Sequence, residues 1–593
     1  MTEATTRTRP RVAAPAARAL GPWLSGPGVV TLSRVVAILA LVVFLGLLPW
    51  LSGNGAEYTI LRARYADLEA TPENLAMVRT ELGLDRGPLL IFADWLGGLL
   101  RGDAGDSWIT GTPVLPGVLS ALGVSLTLML FALAVAVVIA SLISLPALLA
   151  GVRGVPRRDA GAVAAMLTAL PEFVLAALML LIGAVWLGWF PPYGWNGPLY
   201  AVLPALALGM PAGGLVGRLV SDAIADASAE RWVTTWTLAG LSKARVAGGI
   251  VRRALPSVLG QVGLVLVGLT GGAVAVEEVF AIPGLGRATL GAASSQDLPA
   301  LQAGVLALVL VAVAAGIAVE IIRRLLLGGS LRAGAMGVAA APTATSRAVR
   351  WVPIVGGSLV LLVVVLGLPR DPYTSDYHRL QQPSLSPWLP FGADASGRDL
   401  LARVAHGALT TVGTAVAVTL LCLALGLAIG MVPRLSIGPI EVTNAAPPVI
   451  AGLLVAAVWG PSVFGAAIAV AAVSWAPLAA HTSALLQEER AKPYVALLPV
   501  LGVSRARMLW QYLLPAVSGP VFRHAMLRLP GIALALASLG FLGLGPRQPT
   551  PEWGLVVSEG IGYLERAPWA VLAPTAALVV TAMIAVGLAA DRD

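Results

Sequence analysis

Long apolar stretches recur along most of this chain of 593 residues. A helix needs about 20 mostly apolar residues to cross the hydrocarbon core of a bilayer. The pattern predicts an all-α polytopic membrane protein with about twelve spans, in two sets of six. The first set is expected near residues 30–51, 118–149, 162–188, 199–220, 256–280 and 301–326. The second set is expected near residues 351–368, 406–432, 442–460, 462–486, 514–542 and 569–590.

The composition excludes a soluble protein of this size. Hydrophobic residues make up 57% of the chain and charged residues only 12%, whereas soluble domains carry about 25% charged residues. The net charge of +8 comes from basic residues beside the apolar stretches, as the positive-inside rule expects. We therefore expect membrane lipid around the chain, and no nucleic acid partner.

The distribution of charge predicts the domain organisation. Residues 1–28 form an arginine-rich tail, which the positive-inside rule places in the cytoplasm. A first half then covers 29–327, with a large outer loop at 52–116 that holds more acidic than basic residues. Residues 328–350, rich in Gly, Ala, Ser and Thr, are expected to be a cytoplasmic linker to a second half at 351–593.

Each half has one unusually polar loop between its fourth and fifth predicted spans. We call residues 228–246 the first polar loop and residues 488–508 the second polar loop. In both, an aromatic-Val pair precedes a glycine by eight residues, and the glycine opens the pattern Gly-x-Ser-x-Ala-Arg. The matched residues are Trp232, Val233, Gly240 and Arg245 in the first loop, and Tyr494, Val495, Gly502 and Arg507 in the second. Such a repeat at equivalent positions indicates a shared role.

The polar loops are typical of a short amphipathic helix, a glycine and a second helix. A glycine at the end of a helix favours a left-handed C-cap, because it adopts positive φ without steric cost. A bare helix–glycine–helix on the inner membrane face is a surface for another protein. An ordinary interfacial helix anchored by Trp and Tyr is the alternative, and the repetition of the pattern in both halves argues against it.

Further motifs occur outside the polar loops in both halves. The motifs of the first half are Leu82-Gly-Leu-Asp85, Gly102-Asp-Ala-Gly-Asp-Ser107 and Val276-Glu-Glu-Val-Phe280-Ala-Ile-Pro283-Gly-Leu-Gly286. The motifs of the second half are Phe391-Gly-Ala-Asp394-Ala-Ser-Gly397-Arg398-Asp399, Leu539-Gly-Phe-Leu-Gly-Leu-Gly545 and Pro549-Thr-Pro-Glu552-Trp553-Gly554. Together with the polar loops, they resemble the two permease subunits of dipeptide, oligopeptide and nickel ABC importers, fused in one chain.

The resemblance implies a type I ABC importer fold in the plasma membrane of a bacterium, with two six-helix permease halves. It implies ATPase subunits at the polar loops, an extracytoplasmic solute-binding protein, and no cofactor bound by this chain, since the partner subunits use the ATP. The implied ATPase-coupling residues are Glu230, Trp232, Val233, Gly240, Leu241, Arg245, Glu489, Tyr494, Val495, Gly502 and Arg507. The implied outer gate or turn residues are Phe280, Pro283, Gly284, Gly286, Gly543 and Gly545.

The second polar loop departs from the family pattern. The Glu-Ala-Ala triplet of the family is absent, and Ala496-Leu-Leu498 stands in its place. Pro499 precedes the capping glycine and is expected to kink the short helix.

No catalytic or metal-binding motif accompanies these features. The chain has no Walker A sequence for ATP phosphates and no His-Glu-x-x-His helix. Its four histidines are scattered and its one cysteine, Cys422, lies in an apolar run. We therefore expect neither a metal site nor enzyme activity in this chain.

Glu172 lies inside the third predicted span. Intramembrane carboxylates are costly and usually face the bundle interior or a water path. Glu172 could meet a cationic substrate group such as a peptide amine, or pair within the bundle. Glu441 and Asn444 are interpreted as caps at the cytoplasmic end of a span.

The predicted function is the permease of an ATP-driven importer of di- or oligopeptides, which receives substrate from the binding protein and works by alternating access. One alternative is the same transporter class with nickel or a metal chelate as cargo. Another is an ion-coupled secondary transporter, which the scarcity of intramembrane acids and the paired polar loops argue against.

Overall fold

The computed structural model describes residues 27–52, 56–155, 164, 166–168, 170–327, 347–382, 386, 388–444 and 446–590. Most of the tail 1–28 and of the linker 328–350 lies outside these ranges. The described chain is helical, and its only β-type pairings are three isolated bridges.

In the described ranges, the first half contains twelve helices. They are α1 Pro27–Gly46, α2 Leu48–Leu51, α3 Ala56–Arg64, α4 Pro72–Glu81, α5 Pro88–Leu100, α6 Val114–Val152, α7 Glu172–Met179, α8 Pro198–Ser228, α9 Arg231–Leu238, α10 Lys243–Val279, α11 Leu285–Ser294 and α12 Leu298–Leu327. A π-helical segment, Leu180–Trp186, continues α7. Helices α3 to α5 belong to the predicted outer loop, which is therefore a folded unit.

The second half contains eleven helices in the part of the chain that the structure describes. They are α13 Arg347–Gly367, α14 Leu400–Gly407, α15 Gly413–Gly430, α16 Pro433–Asn444, α17 Pro448–Trp459, α18 Val463–Arg490, α19 Pro493–Leu497, α20 Arg505–Met508, α21 Leu514–Phe541, α22 Trp553–Ile561 and α23 Trp569–Ala590. The π-helical segments Ala408–Val412 and Leu509–Leu513 join α14 to α15 and α20 to α21.

Eight continuous helical stretches of the described chain are long and apolar enough to cross a membrane, and two of them, Leu400–Gly430 and Arg505–Phe541, include a π-helical segment. A ninth candidate is the pair Leu435–Asn444 and Pro448–Trp459, which is bent by 89°. Four shorter apolar helices cover Pro88–Leu100, Glu172–Trp186, Ile354–Gly367 and Trp569–Ile584. The chain is thus a polytopic helical membrane protein.

Small residues let the central helices of each half approach closely. A Cβ atom at Gly213 of α8 would lie 2.8 Å from Cβ of Ile139 in α6, and one at Gly217 would lie 2.9 Å from Cβ of Ile143. In the second half, a Cβ atom at Gly426 of α15 would lie 2.7 Å from Cβ of Leu478 in α18. Such contacts drive helix association where the solvent is as apolar as the side chains.

The first helix of the chain packs on the opposite half. Ser33 of α1 donates a hydrogen bond of 2.5 Å to the carbonyl oxygen of Leu435 and accepts one from the backbone N–H of Gly438. Arg34 forms a bidentate ion pair with Glu441 of α16, at 2.6 and 2.7 Å. The interpretation of Glu441 as a cap was wrong, because Glu441 lies inside α16 and pairs with a residue of the opposite half.

The corresponding helix of the second half, α13, stays with its own half. It packs on α14 and α23, and a Cβ atom at Gly356 would lie 3.0 Å from the side chain of Ile584. The halves also meet where α11 and the outer part of α10 contact α17.

Candidate functional site: polar loops and outer turns

The first polar loop is a two-turn helix attached to the start of α10. Val233 is its buried anchor and packs with Val246 and Ile250 of α10. Trp232 and Trp236 form an edge-on pair with ring centroids 4.9 Å apart, and both rings lie over Gly249. Any side chain at position 249 would push α9 away from α10.

Gly240 ends the first short helix in the left-handed region, with φ +77°. The backbone N–H of Leu241 then bonds to the carbonyl oxygen of Trp236, which is the arrangement of a glycine C-cap. Leu241 packs at the edge of the Val233 cluster, and Arg245 is exposed.

The second polar loop repeats this plan with a shorter helix. Val495 is buried with Leu486 and Leu513, and Gly502 has φ +76°. The helix α19 has five residues and ends before Pro499, as expected of a residue that restricts the preceding turn. Ser504 caps α20 by accepting a hydrogen bond from the N–H of Arg507.

In each loop a carboxylate accepts a hydrogen bond from the aromatic residue, but the carboxylate stands at a different sequence position relative to that residue in the two loops. Glu230 accepts hydrogen bonds from the indole N–H of Trp232 at 2.8 Å and from Arg253 at 3.0 Å. Glu489, at the end of α18, accepts from the hydroxyl of Tyr494 and from Lys492. The hydrogen bond to Glu489 raises the pKa of Tyr494.

The tips of both loops expose large apolar side chains. Leu238 is 83% exposed in the first loop, and Val500 and Leu501 are 81% and 75% exposed in the second. Apolar side chains rimmed by exposed arginines are typical of a protein–protein contact. The structure thus places a similar exposed apolar tip after α8 and after α18.

At the opposite end of α10, residues 280–286 form the first outer turn. Glu277 is fully buried and accepts hydrogen bonds from Ser125 at 2.5 Å and from the N–H of Arg287 at 3.0 Å. The Ser125 hydroxyl itself accepts from the N–H of Leu285. A carboxylate and a hydroxyl thereby satisfy the first N–H groups of α11, and Gly284 packs directly on the carboxylate.

The second outer turn, residues 542–552, uses the same groups. Glu552 caps α22 by accepting from the N–H groups of Gly554 at 2.9 Å and Leu555 at 2.8 Å. Thr411 donates to Glu552 and accepts from the N–H of Trp553. Burial raises the pKa of Glu552 to about 7, although these hydrogen bonds oppose the shift.

The predicted turn residues fall into three environments. Phe280 is buried, Pro283 is exposed at the turn, and Gly286 lies within α11 against Val274. Gly543 has φ +73° with open space beside it, whereas Gly545 packs on the backbone of Gly540.

A buried cluster of four charges lies beside the second outer turn. Arg403 is fully buried and contacts both Asp394 and Glu559, and Arg398 bridges the same two carboxylates at 2.8 and 2.9 Å. The cluster joins the Phe391–Asp399 motif to α22. Arg403 and Glu559 were not identified from the sequence, because they are isolated charges in apolar segments.

The first half has a simpler link at the same end of the molecule. Asp297, just before α12, accepts hydrogen bonds from the hydroxyl of Ser107 and from the N–H of Trp108. This contact ties the Gly102–Ser107 motif to the end of α11. Asp297 was also missed, since nothing in its local sequence distinguishes it.

Glu172 opens α7, beside the contact between the halves. Its side chain lies against Gly272 of α10, and the side chain of Leu208 of α8 approaches the same glycine. No group of three or more His, Cys, Asp or Glu side chains in the described ranges is arranged to hold a metal ion.

Two helical halves with matching loops at one end and matching turns at the other define a membrane transport component with an internal repeat. The chain belongs to the family of binding-protein-dependent transport system inner membrane components, which matches residues 143–328 and again residues 425–591. The repeat and the inner-membrane location inferred from the sequence are thereby confirmed.

Individual relatives are single permease proteins. The chain is 30% identical over 256 residues to the di/tripeptide transport system permease protein DppC of Pseudomonas aeruginosa, covering 40% of this chain and 84% of the relative. It is 31% identical over 270 residues to a putative peptide transport system permease protein of Brucella abortus, covering 43% and 83%. The dipeptide transport system permease protein DppC of Haemophilus influenzae is 28% identical over 238 residues, covering 37% and 81%.

Proposed function

We propose that this chain is the complete membrane permease of an ATP-driven importer of di- or oligopeptides. Twelve spans in the halves 29–327 and 351–593, joined by a cytoplasmic linker, would enclose one pathway. One observation carries the proposal: two copies of the family domain occur in one chain, and each carries an exposed helix–glycine–helix loop.

The polar loops are the proposed contacts for two ATPase subunits. Their buried valines anchor each short helix to the next span, so that movement of the loop moves α10 or α21. Nucleotide can shift the permease between inward-open and outward-open states only if the ATPases bind the two states differently. The peptide relatives support a peptide cargo delivered by an external binding protein.

Reconstitution in liposomes tests this function. The chain alone is expected to hydrolyse no ATP, whereas the chain with its ATPases and binding protein imports labelled dialanine when ATP is supplied. Robust ATP hydrolysis by the isolated chain would contradict the proposal. ATP-driven uptake of a nickel chelate without peptide uptake would show that the substrate is a metal chelate and not a peptide.

Division of the chain tests the two-half organisation. We expect fragments 1–335 and 345–593, when co-expressed, to restore uptake, because the contact between α1 and α16 joins the halves without the covalent linker. Less complex should assemble, since the tether no longer raises the effective concentration. Cysteine labelling from outside at Ser242 or Ser504, in a Cys422→Ala background, would contradict the cytoplasmic placement of the polar loops.

A further inference from the structure

Glu172 stands at the contact between the two halves. The next residue, Phe173, stacks on Phe541 of the second half, with ring centroids 4.8 Å apart and planes at 26°. Beside Glu172, a Cβ atom at Gly271 would lie 2.8 Å from Cβ of Pro447 in the second half. The carboxylate is therefore next to the surface along which the halves must separate.

This position lies at membrane depth. Gly272, which contacts Glu172, is seven residues before the end of α10 at Val279. Seven residues of α-helix correspond to about 10 Å. Glu172 is therefore well below the outer end of α10, where an ionisable side chain needs a specific reason to be present.

The Glu172 carboxylate has no counter-ion among the described residues. It forms no ion pair with them, and its only hydrogen-bond partner in the described ranges is the N–H at the start of its own helix. A helix N-terminus favours a negative charge, but an uncharged side chain such as Ser or Asn also caps it. Capping alone thus does not require a carboxylate here.

Glu172 is only partly buried. Part of its surface is therefore accessible. By contrast, the buried carboxylates of Glu277 and Glu552 accept hydrogen bonds from side-chain or backbone donors of other residues. Of these three carboxylates, Glu172 is the one whose acceptor oxygens are available to a ligand.

We infer that Glu172 binds the cationic amino group of a substrate peptide in the pathway, directly beside the Phe173–Phe541 stack that closes the contact between the halves. This inference rests on the proposed peptide importer function. At this position, Glu172 would hold the substrate amine beside the contact between the halves. Separation of the halves at this contact would then let the peptide enter or leave the site.

The test uses the complete transporter, with ATPases and binding protein, in liposomes. Glu172→Gln keeps the size of the side chain and one acceptor oxygen but removes the charge. We expect ATP-driven dialanine uptake to fall by about tenfold or more, the scale of a lost charged hydrogen bond, while Glu172→Asp retains part of it. Glu320→Gln is the matched control, because Glu320 pairs with Arg323 and Arg324 of its own helix.

Chemical restoration of the charge separates recognition from folding. In a Cys422→Ala parent, Glu172→Cys is treated with sulfonatoethyl, trimethylammonioethyl or methyl methanethiosulfonate. We expect only the anionic adduct to raise uptake. Normal uptake by Glu172→Gln, failure of the introduced thiol to react, or equal uptake with all three adducts would overturn the inference. A wild-type transporter that imports no peptide would instead contradict the proposed function itself.

Discussion

The two outer turns solve the same problem with different parts of the chain. In both, a buried carboxylate and a hydroxyl satisfy the first N–H groups of a short helix. In the first turn the carboxylate is Glu277, eight residues before α11 begins, whereas in the second it is Glu552, directly before α22. Among the described residues, only the second turn is joined to a buried charge cluster. The repeat thus preserves the interaction rather than the position of the residue.

Removal of Arg403 should have the largest effect on this comparison. Arg403→Met leaves Asp394 and Glu559 with fewer counter-charges in a buried site, which costs roughly 3–5 kcal/mol. We expect a large fall in the thermal stability of the purified protein. Asp297→Asn, in the first half, removes one hydrogen-bonded charge and should cost about 1–3 kcal/mol.

Arg370→Met provides the control for that experiment, because Arg370 pairs with Asp399 at the accessible edge of the same region. Its effect should be smaller than that of Arg403→Met. Equal unfolding temperatures for wild type and Arg403→Met would show that the cluster does not stabilise the second turn.

The glycines of the polar loops provide the next test. No described atom lies within 4 Å of a Cβ atom at Gly240 or Gly502, so a substitution is opposed by the positive φ alone. Val at either position should cost about 1–2 kcal/mol locally and weaken ATPase association and uptake, with the protein still in the membrane.

Asn should be milder than Val at both glycines, because Asn tolerates the left-handed conformation. Gly248→Ala is the control, since Gly248 also has open space but lies inside α10 without positive φ. If both Val variants and the double variant retain full uptake, the polar loops do not couple ATPase movement to the spans.

Acidification should strengthen the second outer turn. Burial raises the pKa of Glu552 above its value in the unfolded chain, to about 7, so protonation favours the folded state. Stability contributed by this group is fully present below about pH 4.5 and is lost as the pH rises through about 7. Hydrogen exchange of α22 should therefore be slower at pH 5.5 than at pH 7.5, after correction for the intrinsic exchange rate at each pH.

Glu552→Gln should remove most of that pH dependence, which is on the order of 2 kcal/mol between pH 5.5 and pH 7.5. Its hydrogen exchange is compared with that of the wild type at both pH values. An undiminished pH dependence in the variant would assign the effect to another group.

The smallest effect is expected at the contact between α1 and α16. Arg34 and Glu441 are each about half exposed, and exposed ion pairs contribute about 0–1 kcal/mol. A double-mutant cycle with Arg34→Gln and Glu441→Gln, measured by thermal unfolding, should give a coupling energy in this range. A coupling above about 2 kcal/mol would mean that the pair clamps the halves far more strongly.

The sequence was most informative where function depends on local spacing. The eight-residue interval from Trp232 or Tyr494 to a glycine predicted both short helices and their positive-φ ends. Pro499 was expected to kink the second short helix, which instead ends before it. The number of spans could be predicted less well from the sequence, since a bend such as the one between α16 and α17 depends on packing. The coupling role of the polar loops stays a prediction.

Contacts between distant segments could not be obtained in this way. Arg403 meets Glu559 across 156 residues, and Arg34 meets Glu441 across 407. A lone charge in an apolar segment predicts that a partner exists, but it does not say where. Glu441 was misinterpreted for this reason, because its position near a span end also suits a cap.

The crossing of α1 to the opposite half has a consequence for biosynthesis. The chain is made from its N-terminus at about 5–20 residues per second, and Arg34 precedes Glu441 by 407 residues. The first span therefore waits roughly 20–80 s in the bilayer before the ribosome has produced the helix on which it packs. During that interval Ser33 and Arg34 lack their partners in the second half, so lipid headgroups, the insertion machinery or a chaperone must satisfy these side chains.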